Sequence, residues 1–152
     1  MEDNQNGVVS QEVKAEVEGD SEVNVEEVEM VSGAPRGEIV RQLLTALAKK
    51  DIAGALAAIR TTVEENMDAR TLVKLLIHRL RVVLLLRSAP ELAKQLSHEL
   101  TEADLALAQE LSKEAGVNSH TLRTLLEAYS QTAYAAVPHL PLELALIDIC
   151  AS

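Results

Sequence analysis

Histidines with a carboxylate at helical spacing are where chemistry would begin in this sequence, and two such places occur. His98-Glu99 starts as a zinc-hydrolase helix does, with an imidazole as metal ligand and the adjacent carboxylate as general base. Thr101 and Glu102 stand where a second imidazole would be required, so the two-histidine zinc face does not form and the segment reads as a solvated cap region. His139 and Glu143 lie four residues apart at a helix start, where the dipole favours a carboxylate and the imidazole can pair with it. That arrangement fits a structural contact better than an acid–base pair. His78 and His120 have no acidic or cysteine company at ligand spacing. No glycine-rich loop ending in Lys-Ser or Lys-Thr is present to cradle phosphates, and no Gly-x-Gly-x-x-Gly follows a strand. The sequence therefore supplies no catalytic, nucleotide-binding or metal-ligating set, and no cofactor is expected on it.

One cluster remains chemically distinctive. Arg70, Lys74, Arg79, Arg81 and Arg87 fall in a stretch of residues 69–90 without a single acid, and Arg70, Lys74, His78 and Arg81 share one helix face. Arg70, Lys74 and Arg81 are thus a candidate basic contact face. The overall acidic charge and the scarcity of aromatics on which bases could stack disfavour direct DNA contact. A solvated face, balanced by Glu64, Glu65 or Glu91, or one that salt-bridges across a subunit boundary, is the expectation for these cations.

The elements that must position these residues are helical. The chain has 152 residues, 47% of them hydrophobic, enough for one core but not two. Phe and Trp are absent and only Tyr129 and Tyr134 are aromatic, so Leu, Ala, Val and Ile fill that core, and Leu and Ala at such density favour helices. The N-x-x-E box of Asn24 and Glu27 opens a short helix over residues 25–31, closed by Gly33 and Pro35. Ile39, Val40, Leu43, Leu44 and Leu47 line one side of a helix over residues 36–50, and Asp51 caps the next, making a hairpin. Asp68 caps a long helix over residues 69–87, apolar around much of its girth and so expected at the centre. Pro90 opens a short segment, Thr101 with Asp104 caps a helix that Gly116 ends, and Ser119 caps another running to about residue 137 with a stripe of Leu122, Leu125, Leu126, Tyr129 and Ala133. No alternating β-branched segments flanked by hairpin turns occur. The expected fold is all-α, a compact bundle of about five to six helices.

Charge marks a boundary. Residues 1–31 hold ten acids against Lys14 alone, which is −9 of the total −10. Residues 1–22 carry only isolated valines and are expected to be an acidic disordered tail, with residues 23–34 a short helix and linker and residues 35–152 the helical domain. No apolar run is long enough to span a membrane, no basic start precedes an apolar stretch, and the lone Cys150 closes no internal disulfide. A cytoplasmic location follows as the expectation.

The last helix, launched by Pro138-His139-Leu140-Pro141, is apolar on more faces than one bundle needs. Leu142, Ala145, Leu146 and Ile149 make one stripe, and Leu144 and Ile147 a second strip on a flank where a solvated helix would be polar. Leu142, Leu144, Leu146 and Ile147 are therefore candidates for a subunit interface, though which of them stay inside the subunit is open at this point. An oligomer is the expected state.

Several pieces together carry a resemblance. Val25-Glu26-Glu27-Val28-Glu29 before Gly33-Ala34-Pro35, Leu47-Ala48-Lys49-Lys50-Asp51 with Ala55-Leu56, and the series Leu72, Leu75-Leu76, His78-Arg79-Leu80-Arg81, Leu84-Leu85-Leu86-Arg87 are three of them; Pro141-Leu142-Glu143-Leu144-Ala145-Leu146 is the most specific. From about residue 23 onward the chain resembles the helical collar, domain III, of the bacterial DNA polymerase III gamma/tau subunit, the ATPase subunit of the sliding-clamp loader. The resemblance implies a collar-type fold that assembles the loader during DNA replication, with other gamma/tau copies and the delta and delta-prime subunits as partners. It also implies that the family's ATP and zinc sites lie in an AAA+ module and lid domain that precede the collar, whose motifs this sequence lacks. A fragment or a separately encoded collar reconciles the two. The alternative from another class is a free-standing helical adaptor that uses the same apolar end to hold a partner helix.

Overall fold

The computed structural model describes residues 36–152, and the expected acidic tail (1–22) and the short helix and linker (23–34) lie outside the described residues. The chain divides into two units, Met1–Ile39 and Val40–Ser152, of which the second carries the account below. Among the described residues there are seven α-helices, one 3₁₀ turn and no strand: α1 (Arg36–Ala48), α2 (Ile52–Glu64), α3 (Ala69–Ser88), the 3₁₀ turn Pro90–Leu92, α4 (Ala93–Leu96), α5 (Glu102–Leu111), α6 (Ser119–Thr132) and α7 (Leu140–Ala151). Six of the seven are ten residues or longer; the seventh, α4, is a single turn.

Local chemistry sets the first boundaries. Val40, Leu43, Leu44 and Leu47 recur on one side of α1 and are all but completely buried. The helix closes in a Schellman turn: the Lys50 N–H donates to the Leu47 carbonyl at 3.2 Å and the Asp51 N–H to that of Ala46 at 2.8 Å. Lys50 occupies the left-handed position of that turn, with φ 57°. The Asp51 side chain then accepts from the Gly54 N–H at 3.0 Å and starts α2. α2 ends the same way, with Asn66 at φ 58° and the Met67 N–H on the Thr62 carbonyl at 2.9 Å. Asp68 caps α3 through the Thr71 N–H at 2.9 Å.

α3 is the longest element, about 30 Å at the usual rise. Leu72, Val73, Leu76, Leu80, Val83 and Leu86 are nearly or fully removed from solvent, spread over more than one face. It is flanked by α6, α5 and the 3₁₀ turn, while α7 packs against α6 and α2.

The second half of the chain departs from its sequence reading in five respects. α5 stops at Leu111 rather than near Gly116, which instead lies so close to α1 that a Cβ there would stand 2.5 Å from the Ala48 carbonyl oxygen. Thr101 caps α5 by accepting from the Asp104 N–H at 3.1 Å, but the Asp104 carboxylate does not complete the box; it turns to two arginines on other helices. Asn118, not Ser119, caps α6: its side-chain oxygen accepts from the N–H groups of His120 and Thr121, and Thr121 Oγ1 accepts from the Asn118 N–H. α6 ends at Thr132, because Ala133, Tyr134, Ala136 and Val137 are exposed and offer no packing to extend it. Its buried face is also rotated from the expected stripe. Thr121, Leu125 and Ala128 are buried, whereas Leu126 is half exposed and Ala133 lies beyond the helix.

Candidate functional site

α7 shows how an apolar helix is divided between its own subunit and the outside. Pro141, Leu142, Ala145, Leu146 and Ile149 are buried, with Leu142, Leu146 and Ile149 fully so, against α6 on one side and α2 on the other. The opposite face carries Leu140, Leu144, Ile147 and Ala151 at i, i+4, i+7 and i+11, an arc of about 60° at the usual turn. Leu144 is 56% exposed, Ile147 47% and Leu140 42%. The four interface candidates thus separate: Leu142 and Leu146 lie inside the chain, while Leu144 and Ile147 face out. Leu140 joins the outward pair, although the sequence reading used it only as part of the helix start. The i, i+4, i+7 spacing through Leu140, Leu144 and Ile147 was the signal for it. Val137 extends the strip; it is half exposed, and its carbonyl accepts from the Leu140 N–H at 3.0 Å.

The C-terminal end of α7 is held in place. Its last turn has no basic residue of its own, and Lys50 supplies one from the α1–α2 turn, donating from Nζ to the Ile149 carbonyl at 2.8 Å. Cys150 sits half-buried beside this contact. Burial pushes its thiol pKa up, Lys50 offsets part of that, and Asp51 adds to the rise. On the α6 side, His120 Nε2 lies 3.9 Å from Asp148 Oδ2, a pair too exposed to contribute much. A shallow groove of about 220 Å³ runs between α6 and α7, with Gln131, Pro141, Leu144 and Asp148 among its lining residues. His139 does not pair with Glu143. Its backbone carbonyl takes the Glu143 N–H at 3.0 Å, and its buried Nε2 has no hydrogen-bond partner among the described residues.

The basic cluster also divides. Arg79 Nη2 meets Asp104 Oδ2 at 3.0 Å while Arg41 Nη1 meets Asp104 Oδ1 at 3.0 Å, so one buried carboxylate ties α1, α3 and α5 together. Glu64, Glu65 and Glu91, expected to balance the arginines, take no part in this. Arg87 closes the end of α5, donating to the carbonyls of Ser112 at 2.9 Å and Glu114 at 2.6 Å. Arg70, Lys74 and Arg81 remain exposed along α3. Arg70 lies over the Tyr129 ring, 4.7 Å from its centroid, and Lys74 and Arg81 make no ion pair among the described residues.

No group of three or more His, Cys, Asp or Glu residues that could hold a metal ion occurs among the described residues, and none of their helices is long and apolar enough to cross a membrane. His98 is exposed in the turn after α4.

Comparison with curated proteins and with solved structures found no match. A family model does match: that of DNA polymerase III subunits gamma and tau domain III, over residues 23–152. Since that match takes in every described helix and most of the sequence, the chain belongs to the gamma and tau domain III family of DNA polymerase III subunits.

Proposed function

We propose that the chain is a collar module of the clamp loader: residues 35–152 assemble gamma/tau-type copies with delta- and delta-prime-type subunits in the bacterial cytoplasm, and residues 23–34 join the collar to a preceding lid. Leu144 and Ile147, together with Leu140, are the contact residues of α7 in this reading. The observation that carries it is a helix buried on one face, anchored at its C-terminus by Lys50, and still apolar on the other. The catalytic work of a loader is assigned to other modules.

Covering a half-exposed Leu or Ile is worth about 1 kcal/mol, so this strip contributes roughly 3 kcal/mol and an apolar partner surface a similar amount. Association costs about 4 kcal/mol at the least, so a single contact of this size is weak. Closure, in which each subunit makes two contacts, lets small interfaces add.

Light scattering over a range of concentrations tests the reading. Leu144→Asp and Ile147→Asp are expected to weaken self-association at least tenfold without loss of helicity. Self-association unchanged in both variants removes α7 from the interface. A chain that stays monomeric and ignores delta-type subunits is an adaptor instead.

A further inference from the structure

The outer face of α3 is unused by the collar reading. Arg70, Lys74 and Arg81 lie at i, i+4 and i+11 on a single exposed face, spanning about 16 Å of helix, with His78 between them. α3 contains no acid over its 20 residues. The arginines of the same stretch that have structural work, Arg79 and Arg87, are turned away to Asp104 and to the carbonyls after α5. Among the described residues these three cations have no carboxylate partner, and one of them, Arg70, is already ordered by the Tyr129 ring.

We infer that this row holds the phosphodiester backbone of a single-stranded nucleic acid. A phosphate track needs cations in file, exposed and not paired by their neighbours, and that is what α3 presents among the described residues; with aromatics scarce and the Tyr129 ring taken by Arg70, the contact is to the backbone alone, without base stacking. Exposed acids precede and follow α3, Glu64, Glu65 and Asp68 before it and Glu91 after it, so the run of cations is confined to this one helix. A duplex asks for a broader basic surface. Residues 1–31 hold −9 of the net −10, so residues 32–152 are close to neutral.

The test is fluorescence anisotropy of a labelled oligothymidylate of roughly 20 nucleotides with the full chain, from low salt upward. Three phosphate contacts give an affinity that falls about 20-fold for a fourfold rise in salt. Neutralising the row with Arg70→Gln, Lys74→Gln and Arg81→Gln is expected to lower affinity at least tenfold at low salt and flatten the salt dependence. Lys74→Gln with Arg81→Gln, which leaves the Arg70–Tyr129 contact intact, is expected to remove two-thirds of the slope and guards against a triple variant that misfolds. Neutralising Arg60 and Lys94, exposed elsewhere, is expected to change affinity less than twofold. No binding at low salt, or binding indifferent to the row, overturns the inference. Tighter binding of duplex through the same residues overturns the single-strand assignment. Displacement of the oligonucleotide by polyglutamate at equal or lower concentration shows the row to be a site for an acidic protein segment instead.

Discussion

Asp104 is the residue on which three helices converge. Its carboxylate is 5% exposed and takes one guanidinium from α1 and one from α3, while its backbone N–H is held by Thr101. Removing one partner from a buried ion pair leaves the others unmatched, which costs more than the pair adds when intact. Because Arg41 and Arg79 keep 30% and 20% exposure, solvent recovers part of that loss. Asp104→Ala is expected to destabilise the domain by about 2–3 kcal/mol in urea unfolding, with Asp104→Asn in between. Lys50 poses a different balance. It sits in the left-handed region, unfavourable for any residue with a Cβ, yet its ammonium closes α7. Lys50→Ala keeps the backbone cost and loses the cap, about 1 kcal/mol. The same substitution takes away the charge that lowers the Cys150 thiol pKa, so alkylation of Cys150 at a given alkaline pH is expected to slow further. The sign for stability follows from the raised value in the folded state. The thiol's contribution is complete below the unfolded value near 9.0 and declines as pH rises through the higher folded one.

Helix ends and helix contacts explain which elements the sequence reveals and which it hides. Asp51 and Asp68 are read directly from their positions before apolar runs, because a cap and its helix are neighbours in sequence. Asn118 was hidden by the serine next to it, since either residue can cap; the choice fell to the one whose oxygen reaches two N–H groups and whose own N–H is met by Thr121. Asn118→Ala is expected to cost about 1 kcal/mol in thermal or urea unfolding, and Ser119→Ala close to nothing. Gly116 follows an apolar run as a helix stop does, but its role is tertiary. It lets the loop before α6 approach the end of α1, and Gly116→Ala drives a methyl into a backbone carbonyl that cannot rotate away. A loss of about 1–3 kcal/mol is expected in the same unfolding measurement. The buried face of α6 departs from its apolar periodicity for a related reason. Leu122, Leu125, Leu126 and Tyr129 offer a wider apolar arc than one neighbour covers, and α6 lies against both α3 and α7, so its buried centre falls between them and leaves Leu126 outside. Periodicity names the apolar residues of a helix; the neighbours decide which of them are inside.

At the scale of the molecule, the same logic separates the two halves of the candidate site. The sequence shows that α7 is apolar on two faces, and it cannot say which face the bundle takes, because the answer depends on where α2 and α6 stand. The structure puts Leu142 and Leu146 inside and leaves Leu140, Leu144 and Ile147 outside. Family membership connects this helix to the gamma and tau subunits of a replicative polymerase assembly, and the collar reading gives the exposed strip its purpose. The most direct measurement of that reading is the mass of the complex formed when the full chain is mixed with delta- and delta-prime-type clamp-loader subunits, compared with its Ile147→Asp and Leu144→Asp variants. The collar reading predicts a closed mixed assembly with the native chain, and with either variant a loss of at least tenfold in the assembled fraction while the unfolding midpoint stays put. Assemblies of equal mass and yield from the native chain and both variants would contradict it.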